Sequence, residues 1–138
     1  MKFHCIAFTS AALALAGPCF ATSPEQEGVW VGSLKTKSHF STGTASIKQE
    51  MRLDVGPSNA TTVTLDGVVQ FSGGSAFDGS EGIFIYIDPN ALPATRFGYG
   101  AVHFKGTKIK GTTSGFAIVT TPALQETFNG KISLKKQP

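Results

Sequence analysis

The sequence predicts an all-β chain folded as an eight-stranded antiparallel up-and-down barrel. Three observations predict it. The apolar residues recur with a period of two, turn signals interrupt them at short intervals, and 16 Gly and 7 Pro stand against only 15% charged residues in a chain of 138. Helical repeats and coiled coils, which need many Glu, Lys, Leu and Ala, are excluded on the same composition.

The first twenty-one residues stand apart. Lys2 gives a positive start, residues 6–16 form a mostly apolar run, and Gly17-Pro18 breaks it ahead of Cys19-Phe20-Ala21. This is the layout of a secretory signal cleaved after Ala21, and the run is too short to span a bilayer as a helix. The division expected is a signal at 1–21 and one domain at 22–138, secreted or periplasmic. Both cysteines, Cys5 and Cys19, fall within the signal, so the mature chain is expected to have no disulfide, thiol nucleophile or zinc–cysteine site. A lipid anchor would need Cys directly after Leu15-Ala16-Gly17. Pro18 stands there, and Cys19 comes one place late.

Residues 22–27 read as a polar lead-in. The clearest strand is 46–55, where Ile47, Gln49, Met51, Leu53 and Val55 alternate with Lys48, Glu50, Arg52 and Asp54. The turn Gly56-Pro57-Ser58-Asn59 follows, and 61–71 resumes the alternation with Val63, Leu65, Val69 and Phe71 on one face. Further strands are predicted at 29–37, 82–88, 97–105, 107–113, 115–120 and 127–135, with Gly73-Gly74-Ser75 and Gly79-Ser80 as loop. Closure into a barrel would remove the two exposed sheet edges, and glycines inside strand patterns suit its bulges and coils. A two-sheet sandwich is the alternative with the same strand count. An outer-membrane barrel is disfavoured, because Lys48, Glu50, Arg52 and Asp54 would interrupt its apolar outer band.

The one tryptophan lies in Gly28-Val29-Trp30-Val31-Gly32-Ser33-Leu34, at the head of the first strand. This Gly-x-Trp resembles the opening of the calycin group of barrels, which comprises lipocalins, fatty-acid-binding proteins and avidins. The resemblance implies that Trp30 lies across one end of a barrel and seals it, and that the interior holds a small apolar ligand. Lipocalins also place a late arginine on that tryptophan. The last arginine here is Arg96, and only Lys131, Lys135 and Lys136 stand where a substitute could be. Biotin binding of the avidin type is not expected, since no second tryptophan is present.

Chemistry is sparse. The mature part holds His39 and His103, neither with an acid or a second histidine within four residues, so no metal site and no cofactor is expected. No Gly-x-Ser-x-Gly elbow occurs. His103 alternates with Phe97, Tyr99 and Ala101. In one register these point inward, and Trp30, Phe97, Tyr99 and His103 would line a ligand site, with His103, Tyr99 and Arg96 as the residues of an enzymatic alternative. In the other register Val102 and Phe104 point inward and His103 is solvated. Asp78 and Glu81 read as loop acids. Lys105, Lys108 and Lys110, followed by Lys131, Lys135 and Lys136, would make one flank basic if their strands are neighbours.

The net charge of +3 contains no run of like charges and gives no case for nucleic acid. The chain does carry an apolar excess. Ile83-Phe84-Ile85-Tyr86-Ile87 is apolar on both faces, and so is the stretch around Phe104. Phe84, Tyr86 and Phe104 are therefore expected on a surface covered by a protein partner or a second copy of the chain. A binding module is expected in preference to an enzyme.

Overall fold

A computed structural model describes residues 22–40, 43–88, 94–119 and 126–138. The proposed signal, with Cys5 and Cys19, lies outside the described residues. Within them the chain is all-β and antiparallel. Its strands are β1 (Gly28–Phe40), β2 (Gly43–Val55), β3 (Thr61–Leu65), β4 (Val68–Asp78), β5 (Glu81–Asp88), β6 (Ala94–Lys105), β7 (Lys108–Val119) and β8 (Glu126–Lys136). Each strand pairs with the next in sequence. β8 pairs back onto β1, from Trp30 opposite Lys136 to Phe40 opposite Glu126, so one sheet curls round and meets itself.

The wall is uneven in height. β2 has thirteen residues, but only Met51 to Val55 find partners on the short β3. Its first half is paired on the β1 side alone among the described residues. Ile47 shares the inward parity of Met51 and Leu53, yet it is 43% exposed, since the pairing with β3 begins only at Met51. The expectation of one continuous buried face along 46–55 therefore holds only from Met51 onward.

Two strand assignments needed correction, and they offset each other. The run 61–71 is two strands, split at Asp66-Gly67, where both residues have positive φ (49° and 82°). That is a two-residue hairpin turn of the kind an Asp-Gly pair favours. The turn breaks the parity of the alternation, so Val63 and Leu65 face inward while Val69 is 66% exposed. In the other direction, 107–113 and 115–120 are one strand, β7, which passes through Ser114 without a turn. Gly73-Gly74-Ser75, expected as loop, belongs to β4 beside an irregularity in its pairing between Ser72 and Gly74.

The core occupies the inside of the curl. Trp30, Leu34, Met51, Leu53, Val63, Phe77, Phe84, Ile109, Ile132 and Leu134 are buried there, and the rings of Trp30 and Phe77 each meet Phe104 edge-on at 5.3 and 5.5 Å. Inward glycines make room for the large rings. Phe84 and Tyr86 on β5 stand opposite Gly100 and Gly98 on β6, and Phe77 lies against Gly82. No helix of the described residues is long and apolar enough to cross a membrane.

Candidate functional site

At the end of the curl where β1 begins, Trp30 is fully buried. Its Nε1–H donates to the carbonyl of Gln26 at 3.0 Å, and Lys136 Nζ sits 5.4 Å from the ring centroid. The segment before β1 is a plug, although its polar sequence reads as a lead-in. Gln26 is buried and donates to the Gly79 carbonyl, Asn59 N–H donates to Thr22 Oγ1 at 3.0 Å, and Lys136 donates to the Glu25 carbonyl at 2.8 Å. Strand ends from across the fold are thus tied to residues 22–26.

Toward the opposite end the interior turns polar. Arg96 and Glu126 form a bidentate ion pair, with Nε and one terminal nitrogen each 2.9 Å from a carboxylate oxygen. The guanidinium also donates to Ser38 and lies 5.0 Å from the Phe128 ring centroid. Those guanidinium bonds hold the Glu126 carboxyl below its ordinary range, against burial, which pushes it up, with Ser38 adding a smaller downward pull. Nearby, Tyr86 Oη and Thr113 Oγ1 share a hydrogen bond of 3.0 Å. Thr36 Oγ1 and Gln70 Oε1 are buried with no hydrogen-bond partner among the described residues.

The residues proposed from sequence do not come together. Arg96 is inside, whereas Tyr99 is 46% exposed and the His103 side chain 52% exposed on the outer face. The parity of β6 decides this, because the register that turns Val102 and Phe104 inward turns His103 and Tyr99 out. His103 instead faces Glu81 across the strand pair at 3.9 Å. Phe97, also outward, stacks on Phe116 with centroids 5.5 Å apart. Of the expected ligand-site residues only Trp30 faces the interior, so no enclosed site combines the four. The enzymatic trio is likewise divided between inside and outside.

The expected partner surface is corrected too. Phe84, Tyr86 and Phe104 are core residues. The apolar excess is real, but it resides in their neighbours. Rows of cross-strand partners show this around the outside. One row passes from Lys48 through Lys35, Lys131, Thr112 and Ala101 to Ile83. The next runs from Ser46 through Lys37, Asn129, Ser114 and Tyr99 to Ile85, and a third from Thr127 through Phe116 and Phe97 to Ile87. The outside is therefore basic over β2, β1 and β8 and apolar over β5, β6 and the end of β7. Ile83, Ile85, Tyr99 and Phe116 are each about half exposed. A groove of about 240 Å³ lined by Ala76, Asp78, Ile83 and Ala101 borders the apolar side.

Glu126, Ser38, Thr113 and Gln26 are interior polar residues that the sequence pattern does not single out. Polar residues inside a strand pattern give no periodic signal, and Glu126 precedes the strand start expected at Thr127. Among the described residues no group of three or more His, Cys, Asp or Glu is placed to hold a metal ion. Compared with known proteins, the chain matches no family model, no curated protein and no solved structure.

Proposed function

We propose that this chain is an exported binding module that works through its outer surface, and that the face formed by β5, β6 and β7 docks a second copy of the chain. The observation that carries this is the exposure of Ile83, Ile85, Tyr99 and Phe116 on a sheet whose inner face is already filled. With roughly 200 Å² per side chain of this size, half exposure of four leaves on the order of 400 Å² of apolar surface, within reach of a functional patch. The four side chains are uncharged, and Asp78 and Glu81 stand at the border of the patch in the groove beside Ile83. An isologous dimer needs a face that can meet itself, and a neutral apolar one does.

For the fold we infer a small eight-stranded barrel of the calycin kind. The return pairing of β8 onto β1, the buried Trp30 and the cation of Lys136 over its ring support that reading. Residues 1–21 we read as a secretory signal. A ligand inside the barrel is the second reading, favoured by the buried Thr36 and Gln70 atoms that have no partner among the described residues.

Sedimentation of the wild type and of the Ile85→Asp/Phe116→Asp variant tests the main reading. A dimer that the double change converts to a folded monomer supports it. A wild type that stays monomeric at tens of micromolar removes the second copy as occupant.

A further inference from the structure

The lysines on the far side of the molecule are arranged in register. Lys35 on β1 stands directly opposite Lys48 on β2 and Lys131 on β8, so three cations occupy one cross-strand row at the spacing of adjacent strands. Lys37 lies one step along β1, and Lys110 and Lys135 continue the basic face on β7 and β8. All six are exposed. Like charges directly opposite each other destabilise a sheet, and among the described residues none of these lysines has a carboxylate within ion-pair distance. Glu50, beside Lys48 on β2, is the one acid that borders the row among the described residues. Two shallow grooves flank Lys35 and Lys131, and their other lining residues include Ser33, Ser46, Thr112 and Asn129.

We propose that this face of β2, β1 and β8 docks on an anionic lipid bilayer. The kind of cation points there. Lysine is a compact charge on a flexible stem, suited to a diffuse field of headgroups, whereas a defined carboxylate or phosphate calls for the forked geometry of arginine, and no arginine lies in the row. Among the described residues the face also offers no Phe, Tyr or Trp on which bases or sugar rings would stack. Its short hydroxyl and amide side chains can donate to headgroup oxygens between the lysines. The lysine face lies four strands round the curl from β5, so bilayer contact leaves the apolar face free.

Co-sedimentation with vesicles tests the proposal. The wild-type chain should pellet with vesicles of equal parts phosphatidylglycerol and phosphatidylcholine at low salt, fail to pellet with phosphatidylcholine alone, and be released by high salt. Each juxtamembrane lysine strengthens partitioning about fivefold, so Lys35→Gln/Lys48→Gln/Lys131→Gln should weaken it about a hundredfold, with circular dichroism unchanged. Removing one cation elsewhere, in Lys105→Gln on β6, should cost far less than the about fivefold expected for Lys35→Gln alone. Equal losses in Lys105→Gln and Lys35→Gln would make this a net-charge effect and overturn the assignment to this face. Binding to neutral vesicles as strong as to anionic ones, or no binding to either, would overturn it as well. Tighter binding to soluble polyglutamate than to anionic vesicles would replace the bilayer with an acidic protein.

Discussion

Tyr86 and Gly98 form one inward-facing cross-strand pair, and the tyrosine ring fills the space that the missing side chain leaves. A Cβ added at Gly98 would stand 2.2 Å from Tyr86 Cζ. Phe84 and Gly100 repeat the arrangement one step along, at 2.5 Å. Neither ring is free to yield, since Tyr86 Oη is tied to Thr113 and Phe84 is fully buried.

Gly98→Ala and Gly100→Ala should therefore each destabilise the fold by about 1–3 kcal/mol, the usual cost of an overpacked core. With open space beside them the sign would reverse, because neither glycine has a positive φ and alanine restricts the unfolded chain. Urea denaturation of the two variants distinguishes the explanations.

The Arg96–Glu126 pair sets an acid limit on stability. Its carboxyl is held below the ordinary value by the guanidinium, so its contribution is complete above about pH 4.3 and is lost as pH falls through the lowered folded value. Glu126→Gln should cost about 3–5 kcal/mol at neutral pH, because it leaves the buried Arg96 charge without its counter-charge. The same variant should lose this part of the acid slope. Arg96→Met/Glu126→Leu, which removes both charges, should recover most of the loss. Denaturant midpoints measured between pH 3 and pH 7 test all three outcomes.

Trp30→Ala should cost about 3–5 kcal/mol, as a large aromatic truncation does. More than ring packing is at stake, because Trp30 Nε1 is a tie between the strands and the plug at Gln26. Trp30→Phe keeps most of the ring volume but loses that bond, so it should cost less than Trp30→Ala. Native emission should be that of a shielded indole, and emission at the wavelength of free indole would contradict the burial.

The all-β antiparallel character was legible because Met51, Leu53 and Val55, and again Ile132 and Leu134, keep a strict period of two. What failed was parity across turns. The Asp66-Gly67 pair is a hairpin signal, but the apolar run on either side of it looked continuous. Val69 was consequently expected beside Val63 and lies on the other face. On β6 the two registers were indistinguishable from side-chain type, since Phe97, Tyr99, Val102 and Phe104 supply apolar residues to both faces. The inward glycines settle that register physically. Gly98 and Gly100 accept the β5 rings, which sends Tyr99 and His103 outward. The buried Arg96–Glu126 pair was invisible for another reason: thirty residues separate its members, and only the strand pairings bring them together.

Adjacent residues on β5 should answer the same substitution in opposite ways. Phe84 is fully buried against Gly100, while Ile85 is 50% exposed beside Tyr99. Phe84→Asp places an unpaired carboxylate in the core and removes a packed ring, so the chain should fail to fold, or fold only with loss of most of its stability. Ile85→Asp puts the same charge in water on the outer face, where the cost to the monomer should be within about 1 kcal/mol. If that face is an interface between copies, Ile85→Asp should abolish association while circular dichroism and the denaturant midpoint of the dissociated chain stay near wild type. The two variants therefore separate core from interface along one strand. Equal destabilisation by both would mean that Ile85 is packed inside the monomer, and the outward register of β5 would be wrong.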